Sequence, residues 1–209
     1  MTKAVIFDFD YTLGDSTAGI ALSINYALEK LGCEPRGIPE IRKTVGLSLK
    51  DTFTVLTGRS DEAERFAALF REKADEVMTA NTALYPDTVA VLEALRERGF
   101  KTGIVTTKYH YRIKHILEKF NAEQLVDVII GAEDVKAEKP APEGLLAAIS
   151  ILNADSALYV GDSVVDAKTA ANAGVDFAAV LTGATAKSDF DSYDKICAVD
   201  NLTALLHIL

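Results

Sequence analysis

Residues 5–16 read VIFDFDYTLGDS. An apolar run ending in Phe7 leads straight into two carboxylates at i and i+2, Asp8 and Asp10. β-Branched and aromatic residues in such a run signal a strand, and Phe9 supports it. Asp8 therefore falls where a buried parallel strand is about to end. Open α/β sheets place their ligand crevice outside the carboxyl ends of the strands. Burying a carboxylate without a partner is costly, so a positive charge is expected beside both acids. Taken alone, the pair reads better as strand-end acids satisfied by backbone amides.

The rest of the chain alternates. A helix is expected from Ser16 to about Leu31, capped by Asp15 or Ser16 and ended by Gly32. Cys33 to Pro39 reads as a loop. Leu47–Leu56 and Asp61–Ala80 read as helices, the second with Phe66, Leu69, Phe70 and Val77 on one face. No strand pattern occurs between residues 16 and 84, which implies a separate small helical bundle. Asp87 is expected to cap a helix running to Gly99. Strands follow at Lys101–Thr106, Val126–Ile130, Ala157–Val160 and Phe177–Leu181, with helices at Tyr111–Phe120, Pro142–Leu152 and Val164–Ala173. A weak strand near Ile196 and a helix from Leu202 to the end close the chain. This alternation predicts parallel βαβ units with right-handed crossovers. The apolar strands fit a sheet covered on both faces.

Three further segments carry chemistry. Thr106 ends the strand of Gly103-Ile104-Val105-Thr106-Thr107-Lys108; alone it reads as a cap. Lys108 reads as a contact to substrate or to a carboxylate of the helical bundle, and equally as a solvated surface lysine. Lys139 precedes Pro140 and Pro142, which stiffen its loop; Lys136 competes with it as a nearby cation. In Val160-Gly161-Asp162-Ser163-Val164-Val165-Asp166, a strand ends at Asp162, and Asp166 lies one helical turn later on the same face. Gly161 permits close backbone approach. Alone, Asp162 reads as a helix cap.

With 49% hydrophobic and 25% charged residues, the chain has the composition of an ordinary globule able to build a core. Its net charge of −9 disfavours nucleic acid and requires a local cation at any phosphate site. Cys33 and Cys197 lack metal-ligand spacing and read as thiols of a reducing compartment. Asp8 and Asp10 interrupt any leader-like apolar run, and no stretch approaches the ~20 apolar residues of a membrane span. The expectation is a cytoplasmic protein without membrane partners. His110, His115 and His207 are too dispersed for a metal site or a triad, and His207 falls in the apolar terminal helix.

Together, Asp8-x-Asp10-x-Thr12, Thr106, Lys139-Pro140-x-Pro142 and Gly161-Asp162-Ser163-x-x-Asp166 resemble the motifs of the haloacid dehalogenase-like superfamily, in its phosphoglycolate phosphatase and β-phosphoglucomutase-like branch. The resemblance implies a Rossmann-like α/β core at residues 1–15 and 83–209, with a parallel sheet covered by helices on both faces. It also implies an all-helical cap at residues 16–82, inserted after the first strand.

The implied activity is a magnesium-dependent phosphatase acting on a small phosphorylated metabolite, through an aspartyl-phosphate. Asp8 would be the nucleophile and Asp10 the general acid and base; the dehalogenase branch lacks the second aspartate. Thr106 would hydrogen-bond the phosphoryl group, and Lys139 would pair with Asp8 and the phosphoryl oxygens. Asp8, the backbone carbonyl of Asp10 and Asp162 would hold Mg2+, with Asp166 acting through a water or by orienting a neighbour. Thr107, Lys108 and Arg42 are candidate substrate contacts, and Arg71 could also reach a second anionic group. Tyr11 departs from the pattern, where glycine is common, and is expected to narrow the space around the nucleophile. The same parts could serve a phosphomutase or an inorganic pyrophosphatase, and a non-catalytic binding protein could keep the fold. A monomer or homodimer is expected.

Overall fold

A computed structural model describes all of residues 1–209. The chain divides into two compact units, one of residues 1–15 and 84–209 and one of residues 16–83.

The first unit opens with β1 (Lys3–Phe7), buried along its whole length after Lys3. The chain leaves through β2 (Gly14–Asp15). The helical unit then holds α1 (Thr17–Lys30), α2 (Ile38–Arg42), α3 (Leu49–Thr57) and α4 (Ala63–Val77). Its core joins Ile20, Ile24 and Leu28 of α1 to Phe66, Phe70 and Ala74 of α4, with the Phe53 and Phe66 rings 5.2 Å apart. Ser48 caps α3 by accepting from Asp51 N, and Gly58 ends it in the left-handed conformation. The chain returns through β3 (Ala83–Leu84).

The remainder alternates α5 (Thr88–Glu97), β4 (Lys101–Val105), α6 (His110–Lys119), β5 (Val128–Ile130), α7 (Glu143–Leu152), β6 (Ser156–Gly161), α8 (Val164–Ala173), β7 (Asp176–Val180), β8 (Cys197–Val199) and α9 (Leu202–Leu205). The sheet order is β5-β4-β1-β6-β7-β8, with every pairing parallel. This is the doubly wound order: the chain builds outward from β1 on one side, then crosses back to build on the other. Alternate residues of the strands face opposite ways. Ala4, Ile6, Val105, Tyr159, Phe177 and Ala179 therefore meet Leu145, Ala148 and Leu152 of α7 and Ala167 and Ala170 of α8 in one core. Right-handed crossovers carry α5 and α6 to the other face. No helix is long and apolar enough to cross a membrane.

Several local expectations differ from the structure. Ser16 occupies the N-cap of α1, but its hydroxyl makes no cap bond and accepts from Thr82 Oγ1 at 3.0 Å. Asp87 does not cap its own helix; Oδ2 instead accepts from Thr203 N at 2.9 Å and Thr203 Oγ1 at 3.1 Å. Both residues have the capping chemistry, and a distant donor wins. The short helix α2 begins inside the stretch read as a loop, with Pro39 in its first turn, a position that needs no N–H donor. The terminal helix stops at Leu205, so His207 lies beyond it.

Candidate active site

The doubly wound order explains why residues distant in sequence meet. β1 lies between β4 and β6, so Asp8, Thr106 and Asp162 follow the ends of three adjacent strands. Asp8 N donates to Val160 O at 2.8 Å, extending the β1–β6 ladder by one residue. Thr106 N donates to Ile130 O at 3.0 Å, doing the same beside β5. Asp8, Asp10, Thr106 and Asp162 are all buried.

Lys139 reaches this point from the loop before α7. Glu143, in the first turn of α7, accepts from Lys136 N at 3.1 Å and Ala137 N at 3.2 Å. Asn172 near the end of α8 donates to Pro140 O at 2.8 Å. The loop is thus tied at both ends, and Lys139 Nζ lies 2.8 Å from Asp8 Oδ1 and 2.7 Å from Asp166 Oδ1.

Asp166 sits in the first turn of α8, in a capping box with Ser163. Its Oδ2 accepts from Ser163 N at 3.1 Å and Ser163 Oγ at 2.5 Å. Its Oδ1 takes Lys139 and lies 3.1 Å from the Tyr159 hydroxyl. A Cβ on Gly161 would come within 2.4 Å of the Asp166 side chain, and one on Gly183 within 1.8 Å of Asp162 Oδ2. Only glycine leaves room for these carboxylates. One oxygen from each of Asp8, Asp162 and Asp166 lies within 4.8 Å of the others.

Three clustered carboxylates and one ammonium leave a buried excess of negative charge. Burial pushes the Asp8 carboxyl up to about 6, with Asp166 and Asp10 adding to the rise and Lys139 opposing it. Burial, then the charges of Asp166 and Asp8, push Asp162 well above the usual carboxylate range. For Lys139, burial is the largest single influence and lowers it. Asp166, Asp8 and Tyr159 together outweigh burial and hold it well above its ordinary 10.5. The cluster is therefore built for additional positive charge. Its all-oxygen donor set suits a hard divalent cation.

Asp10 is held differently. Lys108 Nζ lies 3.1 Å from Asp10 Oδ2, with both side chains nearly buried. Lys108 is thus no solvated surface residue. Asp10 Oδ1 is buried with no hydrogen-bond partner in the protein. Lys108 N donates to Thr106 Oγ1 at 3.3 Å, so the Thr106 hydroxyl keeps its own proton to donate. Thr107 is half-buried beside it. Arg42, half-buried, ends α2 in the helical unit.

Tyr11 has φ 62, the left-handed region that glycine adopts freely and a bulky residue adopts at a cost of about 1–3 kcal/mol. Its backbone is fixed by Tyr11 N donating to Gly14 O at 2.7 Å and by the Thr182 hydroxyl donating to Tyr11 O. The side chain is fully buried.

Tyr159 escaped the sequence reading because it looks like any aromatic in a core strand. Its hydroxyl accepts from Lys139 Nζ at 3.2 Å and lies 2.9 Å from Val105 O. The signal was a tyrosine, not a phenylalanine, in a fully buried strand, since a buried hydroxyl needs partners. Tyr159→Phe should cost about 1–2 kcal/mol in urea unfolding, from the lost bond and the bared Val105 carbonyl. It should also slow turnover roughly tenfold, as loss of groups that orient a charged cluster does. Unchanged values of both would remove Tyr159 from the site.

A family model for haloacid dehalogenase-like hydrolases matches residues 5–180. A phosphoglycolate phosphatase from Cereibacter sphaeroides is 34% identical over 185 residues, covering 86% of this chain and 85% of that protein. One from Aquifex aeolicus is 31% identical over 183 residues, covering 87% and 85%. A Caldanaerobacter subterraneus protein provisionally named pyrophosphatase PpaX is 33% identical, covering 85% and 80%. A solved structure from Bacteroides fragilis, provisionally described as a haloacid dehalogenase-like hydrolase, superposes with a TM-score of 0.94 at 41% identity, covering 98% of this chain and all of that one. With its doubly wound sheet and clustered strand-end acids, the chain belongs to the haloacid dehalogenase-like hydrolases and is a phosphatase among them.

Proposed function

We propose that the protein is a magnesium-dependent phosphatase for a small phosphorylated metabolite of the phosphoglycolate kind, working through an aspartyl-phosphate on Asp8. The observation that carries this reading is the Asp8 carboxylate held 2.8 Å from Lys139 beside Asp162 and Asp166. Asp8 and Asp162 would hold the ion; both Asp166 oxygens are already engaged, so Asp166 orients Lys139. When bound, a divalent ion offsets the charge of the phosphate and lets a carboxylate approach phosphorus.

Asp8 attacks phosphorus, and the leaving oxygen takes a proton from Asp10. Asp10 Oδ1, buried and without a protein partner, is the atom available for that transfer. Lys108 holds the other oxygen in place. Thr106 and Lys139 donate to the phosphoryl oxygens, and Asp10 then takes a proton from the water that releases phosphate. The helical unit of residues 16–83 is proposed to act as the substrate-selecting cap. The protein works in the cytoplasm, where its two free cysteines stay reduced.

The test is phosphate release from a panel of phosphorylated metabolites, with and without magnesium. Release from phosphoglycolate that requires magnesium is expected. A sugar phosphate isomerised with little free phosphate would replace this reading by a mutase. Preferential hydrolysis of pyrophosphate would replace it by a pyrophosphatase, the activity for which the Caldanaerobacter relative is named.

Magnesium should also stabilise the fold in a pH-dependent way. The Asp8 carboxyl is raised from 3.8 to about 6, so its protonated form favours the native state, and that contribution fades as pH rises through this window. Magnesium takes the place of the proton above it. The rise in Tm on adding magnesium should be small at about pH 4 and several degrees at about pH 8. An equal rise at both would place the ion elsewhere.

A further inference from the structure

The loop after β7 holds two parts of the site at once. Leu181 N donates to Val199 O at 2.8 Å, carrying the β7–β8 ladder one residue beyond β7. Thr182 and Gly183 follow directly, at the carboxyl end of that strand. The Thr182 hydroxyl donates to Tyr11 O. Gly183 packs against Asp162, where an added Cβ would fall 1.8 Å from Oδ2. One turn of chain therefore touches both the loop of the acid Asp10 and the carboxylate of Asp162.

What Thr182 holds is strained. The other residues besides glycine with positive φ are Asn121 and Asn153, and asparagine visits that region readily. Tyr11, at φ 62, does not; a bulky residue stays there only where its surroundings fix it. Tyr11 N donates to Gly14 O at 2.7 Å, which fixes the Asp10–Tyr11 peptide from within the same turn. Thr182 fixes the next peptide, Tyr11–Thr12, from β7, two strands away from β1. Asp10 stands immediately before this bend. Lys108 holds its Oδ2, while Oδ1 is buried with no partner in the protein. The direction of Oδ1 thus depends on the backbone that Tyr11 sets.

We propose that Thr182 is a positioning residue for Asp10: its hydroxyl latches Tyr11 in the left-handed conformation and so aims Asp10 at the leaving oxygen. The proposal rests on the reading of Asp10 as the general acid. Gly183, seated on Asp162, makes the same turn a spacer between the acid and a carboxylate that would hold the ion. A threonine after a strand carries no such meaning in the sequence, because its target lies 171 residues away.

The test compares the full-length wild type with Thr182→Val, which keeps the shape and removes the donor, and Thr182→Ser, which keeps the donor. Each is measured in magnesium with phosphoglycolate and with p-nitrophenyl phosphate, and each is unfolded thermally. The leaving oxygen of phosphoglycolate takes the Asp10 proton as its bond to phosphorus breaks; p-nitrophenolate leaves without one. kcat/KM reports only the steps up to that departure. Thr182→Val should lower kcat/KM for phosphoglycolate roughly tenfold or more and leave that for p-nitrophenyl phosphate nearly unchanged. Its Tm should not fall, because relief at Tyr11 offsets the lost bond. Thr182→Ser should restore the phosphoglycolate value. Equal losses on both esters with a lower Tm would reduce Thr182 to a structural contact and overturn the proposal. Unchanged kinetics in Thr182→Val, or a Thr182→Ser as slow as Thr182→Val, would overturn it too. A wild type that hydrolyses neither ester would instead sink the phosphatase reading, and the role of Thr182 with it.

Discussion

Asp8→Asn should abolish magnesium-dependent phosphate release, with a loss on the order of 10^4-fold or more, as when an enzyme loses its nucleophile. The same variant should unfold at no lower temperature than the wild type when magnesium is absent. Asp8, Asp162 and Asp166 share one buried cation, Lys139, and burial has raised Asp8 to about 6. At neutral pH the ionised Asp8 therefore opposes folding, and a neutral amide relieves that while still accepting from Lys139. Kinetics and thermal unfolding on one preparation separate the two effects. Near-normal turnover would end the assignment of the nucleophile. A large fall in Tm would show that the Asp8–Lys139 attraction outweighs the crowding of carboxylates.

Lys139→Met should do the opposite to stability. It leaves three buried carboxylates without their ammonium, and removing one partner of a buried ion pair costs about 3–5 kcal/mol. Lys139 titrates above its ordinary 10.5, so its contribution is fully present at neutral pH and is lost only as pH rises through that higher value. The deficit should be visible in urea unfolding at neutral pH, and magnesium should restore part of it. Turnover should fall on the order of 10^2–10^3-fold, the scale for losing a preorganised charge beside the reacting group. A variant as stable as the wild type would mean that the carboxylates are protonated in the native state at neutral pH.

The sites were legible wherever an apolar run stopped at a polar residue. Asp8, Thr106 and Asp162 each follow such a run, and a strand end in a parallel sheet is a place for chemistry. Lys139 stood out through the prolines around it. Tyr159, Gly183 and the Lys108–Asp10 pair gave no comparable signal. Tyr159 matches its strand's pattern, Gly183 looks like turn punctuation, and a lysine shortly after a strand is most often solvated. Their roles rest on contacts across 20, 21 and 98 residues of sequence, which no local period encodes.

Sequence alone determined the alternation of strands and helices, the purely helical stretch within it, and the placing of acids at strand ends. All of these follow from short-range preferences of backbone and side chain. The tertiary structure decided which strand ends are neighbours, and with them which carboxylates share Lys139. Strand order is settled by packing helices over a twisted sheet, a competition among long-range contacts that begins only after the local elements exist.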